Sequence, residues 1–198
     1  LNQSIIIPKA QARKIAVYSS GLHKTAAFGS GISAVANAIR HLGYVQIDTI
    51  SVVERAHHHV LWSRAPGYNS KFLADLQLVH KDIFEYWAHA AAYLPIEDYR
   101  FSLPKKKWFR DKKDSWPKSS LKLKQKVLER IKHEGPLMAR DFEGIKTKGA
   151  GWWDWKPAKL ALERLFLEGD LMITHRKGFQ KVYDLAERQL PDYVETHA

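Results

Sequence analysis

Apolar residues in the first third of the chain recur at helical spacing, with Val35, Ile39 and Leu42 on one face of a segment from Ile32 to Leu42. Gly43 then stops it, and an earlier segment from Pro8 to Tyr18 reads the same way. At Tyr44 the period changes from 3.6 to 2. Val45 and Ile47 alternate with Gln46 and Asp48, so a short strand is expected with the apolar pair inward and the polar pair outward. Ser51-Val52-Val53-Glu54 matches a capping box, which predicts a helix starting there and carrying Ala56, Val60 and Trp62. A further helix over Lys71 to Val79 leads into IFEYW and AAYLP, two β-rich runs that suggest a hairpin.

The second half repeats this order more clearly. Ser119 or Ser120 can cap a helix whose stripe is Leu121, Val127, Leu128 and Ile131, ending at Gly135-Pro136. A short extended piece and a short helix follow over Leu137 to Phe142. Pro157 opens another helix carrying Leu160, Leu162, Leu165, Phe166 and Leu167, which Gly169 closes. LMITH and QKVYDL flank RKGF, where Gly178 permits a tight turn. Helix, short helix, longer helix and hairpin is the order of a winged helix-turn-helix. In that arrangement Lys156, Lys159 and Arg164 would lie on or beside the groove-facing helix, and Arg176 and Lys177 at the hairpin tip, in reach of phosphate. The expected fold class is α+β, mainly α with small β-hairpins, as tandem winged helix-turn-helix domains. The first of these is the irregular one.

Charge divides the chain. The net charge of +11 points to a polyanionic partner, and residues 104–126 hold ten basic residues against two acidic ones. Pro104 and Pro117 bracket the densest part, so a winged-helix-like domain over 1–103, a basic linker over 104–118 and a winged helix-turn-helix domain over 119–198 are expected. Lys105, Lys106 and Lys107 are the candidate phosphate contacts of that linker. Trp108, Phe109 and Trp116 are interleaved with the charges and suit stacking on bases or packing on the fold. There is no cysteine, hence no disulfide or thiolate metal site, and no apolar run approaches the roughly 18 residues of a membrane span. A cytoplasmic monomer without membrane contact is expected. The chain starts at Leu1 rather than Met, which suggests part of a longer chain.

Candidate chemistry concentrates in GYVQIDTISVVERAHHHVLWSR, residues 43–64. Gln46 and Asp48 share one strand face, a pairing that also occurs on any half-exposed strand, and Asp48 could instead cap the next helix. His57-His58-His59 does not suit a metal, because neighbours on a helix diverge by about 100° and a helical zinc pair needs a spacing of four. These histidines, Trp87 and His89 are placed as site-lining or packing residues. The cluster Trp152, Trp153 and Trp155 reads as packing. No phosphate loop, dinucleotide fingerprint or nucleophile elbow is present, so no nucleotide cofactor is expected, and no metal.

Three ordered blocks, VQIDTISVVERAHHHVLWSR, FEYWAHAAAYLP and GWWDWKPAKLALERLFLEGDLMITHRKGFQKVYDLAERQLP, together resemble the bacterial winged-helix DNA glycosylases of the YcaQ type, associated with unhooking interstrand crosslinks. The resemblance implies double-stranded DNA, alkylated or crosslinked, as partner. It implies a basic channel and a catalytic Gln-x-Asp, here Gln46 and Asp48, with Arg55 and Arg64 beside the carboxylate and His57, His58, Trp87 and His89 lining the site. Where the family's hairpin usually reads WAHEA this chain has Trp87-Ala88-His89-Ala90-Ala91, so Ala90 replaces a carboxylate and altered activity is expected. A further winged-helix region follows in family members, which makes this chain an expected amino-terminal portion. Beside the glycosylase stand two other classes: a non-catalytic winged-helix regulator in which Gln46 and Asp48 are structural, and a protein-interaction module.

Overall fold

A computed structural model of the chain describes residues 6–112, 121–142 and 157–196. It is a mixed α+β protein built on two three-stranded antiparallel sheets. In chain order the first half runs α1 (Lys9–Ser19), α2 (Gly31–Leu42), β1 (Val45–Gln46), α3 (Ala56–Trp62), α4 (Lys71–Leu78), β2 (Ile83–Trp87) and β3 (Ala91–Pro95). A 3₁₀ segment, Ile96–Ser102, then runs directly into α5 (Leu103–Asp111). The second half runs α6 (Leu121–Glu134), β4 (Leu137–Met138), a 3₁₀ turn at Ala139–Phe142, α7 (Pro157–Glu168), β5 (Leu171–Lys177), β6 (Gln180–Leu185) and α8 (Ala186–Gln189). In each sheet the short first strand pairs with the last, giving the orders β1-β3-β2 and β4-β6-β5.

Local chemistry accounts for most element ends. Gly43 caps α2 in a left-handed conformation with φ of 76°, which a side chain would strain. The turn between β5 and β6 has positive φ at both Gly178 and Phe179, as a two-residue type I′ hairpin requires. In α6 the buried stripe is Leu123, Val127 and Ile131, while Leu121 is 77% exposed, so the expected register is off by two residues at its start. Helix α3 begins at Ala56 rather than within 51–54. The capping box does not form, because the Glu54 carboxylate accepts from the adjacent Arg55 N at 2.9 Å and Ser51 pairs with Arg55 as an isolated bridge.

The basic linker expected over 104–118 is corrected over its first part. Residues 104–111 are helical, with Pro104 in the first turn where a missing N–H costs nothing. Leu103 and Phe109 pack against the larger core and α5 lies on α7. Residues 113–118 lie outside the described residues, as do the cap at Ser119 or Ser120, the tryptophans 152, 153 and 155, and Lys156.

Two cores meet at β2. Its residues alternate between them: Ile83 joins Val35, Ile39, Val45, Ile47, Leu61 and Leu76, while Phe84 and Tyr86 join Val127, Ile131, Leu162, Leu165 and Ile173. A strand with both faces covered reads as one apolar run, which is why IFEYW shows no alternation. The larger core therefore draws on both sides of the expected domain boundary. Hydrogen bonds cross it too, from Gln77 Nε2 to Ile173 O at 2.6 Å and from the Tyr86 hydroxyl to Leu167 O at 2.7 Å.

Candidate active site

Strand β1 is held at the sheet edge by β3, with Val45 opposite Tyr93 and Gln46 opposite Ala92, and Ile47 N continues the pairing to Ala91 O at 2.8 Å. Val45 and Ile47 are buried and Gln46 is exposed. Asp48, half-buried, follows two residues on and is fixed twice. Its backbone N–H donates to His57 Nδ1 at 3.2 Å, and its Oδ1 accepts from Ile50 N at 2.8 Å. The other carboxylate oxygen, Oδ2, accepts no hydrogen bond among the described residues. A carboxylate anchored through one oxygen and open at the other can accept a proton or face a cationic centre.

His57 is the support of that arrangement. It is 3% exposed and packs its ring against His58 and Tyr93. Burial, reinforced by the neighbouring His58, Arg55 and Arg176, pushes its pKa down to about 4. A neutral ring with Nδ1 accepting carries its proton on Nε2. The three histidines diverge as helical neighbours do: His57 inward, His58 half-buried with Nδ1 2.6 Å from the Tyr68 hydroxyl, and His59 exposed. An open cleft of about 460 Å³ lies on that side, between Glu54, His58, His59, Trp62 and Tyr68.

The β2–β3 hairpin reaches Gln46. His89 Nε2 donates to Gln46 Oε1 at 3.2 Å, and the edge of Tyr44 meets the His89 ring with centroids 5.1 Å apart. Lys105 is not a free phosphate ligand here. Its Nζ donates to Trp87 O and Ala88 O at 2.9 and 2.8 Å, so α5 staples the tip that presents His89. Trp87 is itself half-exposed beside the site.

Several expected DNA contacts are turned inward instead. Lys106 is 3% exposed, with Nζ over the rings of Tyr99, Tyr86 and Phe84, and burial lowers its pKa to about 6. Its stem fills the space against Gly169. Arg176 forms a two-pronged ion pair with Glu85, 2.6 Å from Nη2 to Oε1 and 2.9 Å from Nε to Oε2, and also donates to Phe179 O. Glu85 is 1% exposed, so this pair lies inside the fold and joins β5 to β2. Arg164 donates from Nη2 to Phe109 O and Lys112 O and from Nε to Glu168, which ties α7 to α5. Arg64 bonds Ser20 O, Val60 O and Ser63 Oγ, bracing the ends of α1 and α3. Phosphate contact is corrected to internal structure for Lys106 and Arg176, because each sits in an apolar or paired site that its long stem reaches. Lys107 and Lys177 are exposed, and Lys159 is half-exposed on α7.

The model of the family described as DNA glycosylase AlkZ-like matches residues 39–198, four-fifths of the chain. The chain belongs to the AlkZ-like DNA glycosylase family. It is thus a DNA repair glycosylase by family, as the three sequence blocks implied, and DNA is the substrate that this family implies. No solved structure matches the chain. Among the described residues of this AlkZ-like protein no helix is long and apolar enough to cross a membrane. The matched span contains Gln46, Asp48, the histidines and both hairpins, while α1 and most of α2 precede it.

Sequence reasoning did not find the packing behind the site. Phe179, at the turn of the β5–β6 hairpin, lies between two guanidinium groups, 4.1 Å from Arg55 Cζ and 4.5 Å from Arg176 Cζ. Arg55 immediately precedes α3, so the second half's hairpin braces the segment that runs from Asp48 to His57. The only signals were a polar Glu85 in an apolar strand and an aromatic residue at a turn position that normally takes Gly or Asn.

Proposed function

We propose that this chain hydrolyses the N-glycosidic bond of N7-alkylated guanine in duplex DNA, crosslinked guanine included, with Asp48 as the catalytic carboxylate and Gln46 as the water-holding group. The observation that carries this is the geometry of Asp48, locked through its N–H and Oδ1 with Oδ2 open, two residues beyond the exposed Gln46 that ends β1. N7-alkylation makes the base cationic, so it leaves with the C1′–N9 electron pair as a neutral alkylguanine and needs no acid. Water then bonds C1′ of the cationic sugar and loses its proton to Asp48. A carboxylate beside that sugar stabilises the charge as it forms. The open surroundings of Gln46 suit a base tethered to the opposite strand, which cannot swing fully into a deep pocket.

The shared order of helix, short strand, short helix, helix and two strands, with the same sheet order in both halves, supports tandem winged helices. It does not support a groove-reading helix. Most of α7 is buried beneath α5 and α6, which weighs against the non-catalytic regulator reading.

Asp48→Asn is expected to abolish release of N7-methylguanine from alkylated duplex, while affinity for the same duplex changes less than about threefold. Equal release by variant and parent would overturn the catalytic role of Asp48.

A further inference from the structure

The segment between Asp48 and α3 presents three aliphatic side chains to solvent: Ile50 at 72%, Val52 at 92% and Val53 at 88% exposure. Nothing in the described fold uses them. Exposed single aliphatics are ordinary, but three within four residues on a connection next to a reactive carboxylate are not accounted for by packing.

The segment is also held in place. Asp48 Oδ1 binds Ile50 N, Ser51 bridges to Arg55, Glu54 binds Arg55 N, and Arg55 is packed on Phe179. The same Asp48 that would meet the sugar therefore fixes the start of the apolar tip.

We propose that Ile50, Val52 and Val53 form a wedge that enters the base stack of duplex DNA beside the lesion. This rests on the glycosylase reading of Asp48. The occupant follows from reach and chemistry. Four residues of chain extend at most roughly 14 Å, so Val52 stays within about four base steps of any nucleotide whose C1′ lies at Asp48. A protein covering these residues would crowd the approach of DNA to Asp48. Apolar wedges of this type unstack and kink a duplex, and the larger protein surface that bent DNA then wraps offsets the broken stacking. Tyr44 and Trp87 are exposed aromatic residues, and Tyr44 meets the ring of His89, which bonds Gln46, so aromatic surface also lies near the Gln-x-Asp. For a lesion that cannot be fully extruded, partial unstacking would open the path of water to C1′.

The test uses a duplex with 2-aminopurine next to N7-methylguanine, bound by Asp48→Asn protein so that the base stays in place. Fluorescence is expected to rise at least twofold on saturation. Ile50→Ser with Val52→Ser and Val53→Ser in the same background should remove most of that rise, although the duplex is still fully bound by anisotropy at higher protein concentration. In the otherwise native protein, the triple substitution should slow base release from duplex at least tenfold while release from single-stranded alkylated DNA falls less than threefold. No rise with the parent, or an equal rise with the triple variant, overturns the wedge. Absence of base release by the native protein from either substrate would instead overturn the glycosylase reading, since the fluorescence signal does not depend on cleavage.

Discussion

At the scale of the residue, His57 decides how Asp48 is presented. Its Nδ1 can accept from the Asp48 N–H only when unprotonated, and burial keeps it so down to about pH 4. An unfolded histidine titrates near 6.5, so as pH falls from there toward 4 the unfolded chain takes up a proton that the folded ring refuses. Stability is undiminished above 6.5 and is lost below it, by roughly 2–3 kcal/mol at pH 4.5. Urea unfolding at pH 7 and 4.5 should show that increment in the parent and lack most of it in His57→Asn, whose amide oxygen can still accept from Asp48. Asp48 and Gln46 were legible from the alternation of one strand and from a family resemblance. His57 was legible only as one of three adjacent histidines, since nothing in the run HHH tells which ring the helix turns inward.

At the scale of the element, the β5–β6 hairpin is an internal brace. The sequence pattern predicts the hairpin and places Arg176 near its tip, where exposure and phosphate contact are the natural expectations. The structure turns the tip onto β2, because Glu85 lies on the same strand face as Ile83 and needs a partner. Removing one member of a buried pair leaves the other charge without compensation, at a cost of about 3–5 kcal/mol. Arg176→Met should lower the denaturant midpoint accordingly, and Glu85→Leu combined with Arg176→Met should recover most of the loss. Equal destabilisation by the double variant would place the stabilisation in the Arg176 stem and Phe179 rather than in the ion pair. Helix α5 teaches the same lesson. Pro104 and the lysines at its start suggest a linker, yet Leu103, Phe109 and the Lys106 stem give it one face to bury.

At the scale of the whole molecule, net charge alone predicts a polyanion and says nothing of which cations meet it. The fold sorts them. Lys106, Arg164 and Arg176 hold elements together, Lys105 holds the hairpin tip, and Lys107 and Lys177 face solvent. Lys107→Ala with Lys177→Ala should flatten the dependence of log affinity on log salt by about one to two units, near 0.9 for each phosphate no longer neutralised. Lys106→Met, which keeps the stem and removes the buried amine, should leave that slope unchanged. Measuring binding to one duplex between low and moderate salt separates the two sets.

The sequence by itself determined α1, α2, α4, α6 and α7, the two hairpins and the α+β class, because each depends on periodicity or turn residues read within one segment. Family membership was legible for the same reason, from three ordered blocks. The tertiary structure decided the rest: which histidine supports Asp48, which cations are buried, and that residues beyond 103 complete a core begun at β2. Those outcomes depend on pairs far apart in the chain, such as Glu85 with Arg176 and Arg55 with Phe179. A local pattern records that a residue is charged or aromatic, but burial and its partner are set by which surfaces the folded elements press together.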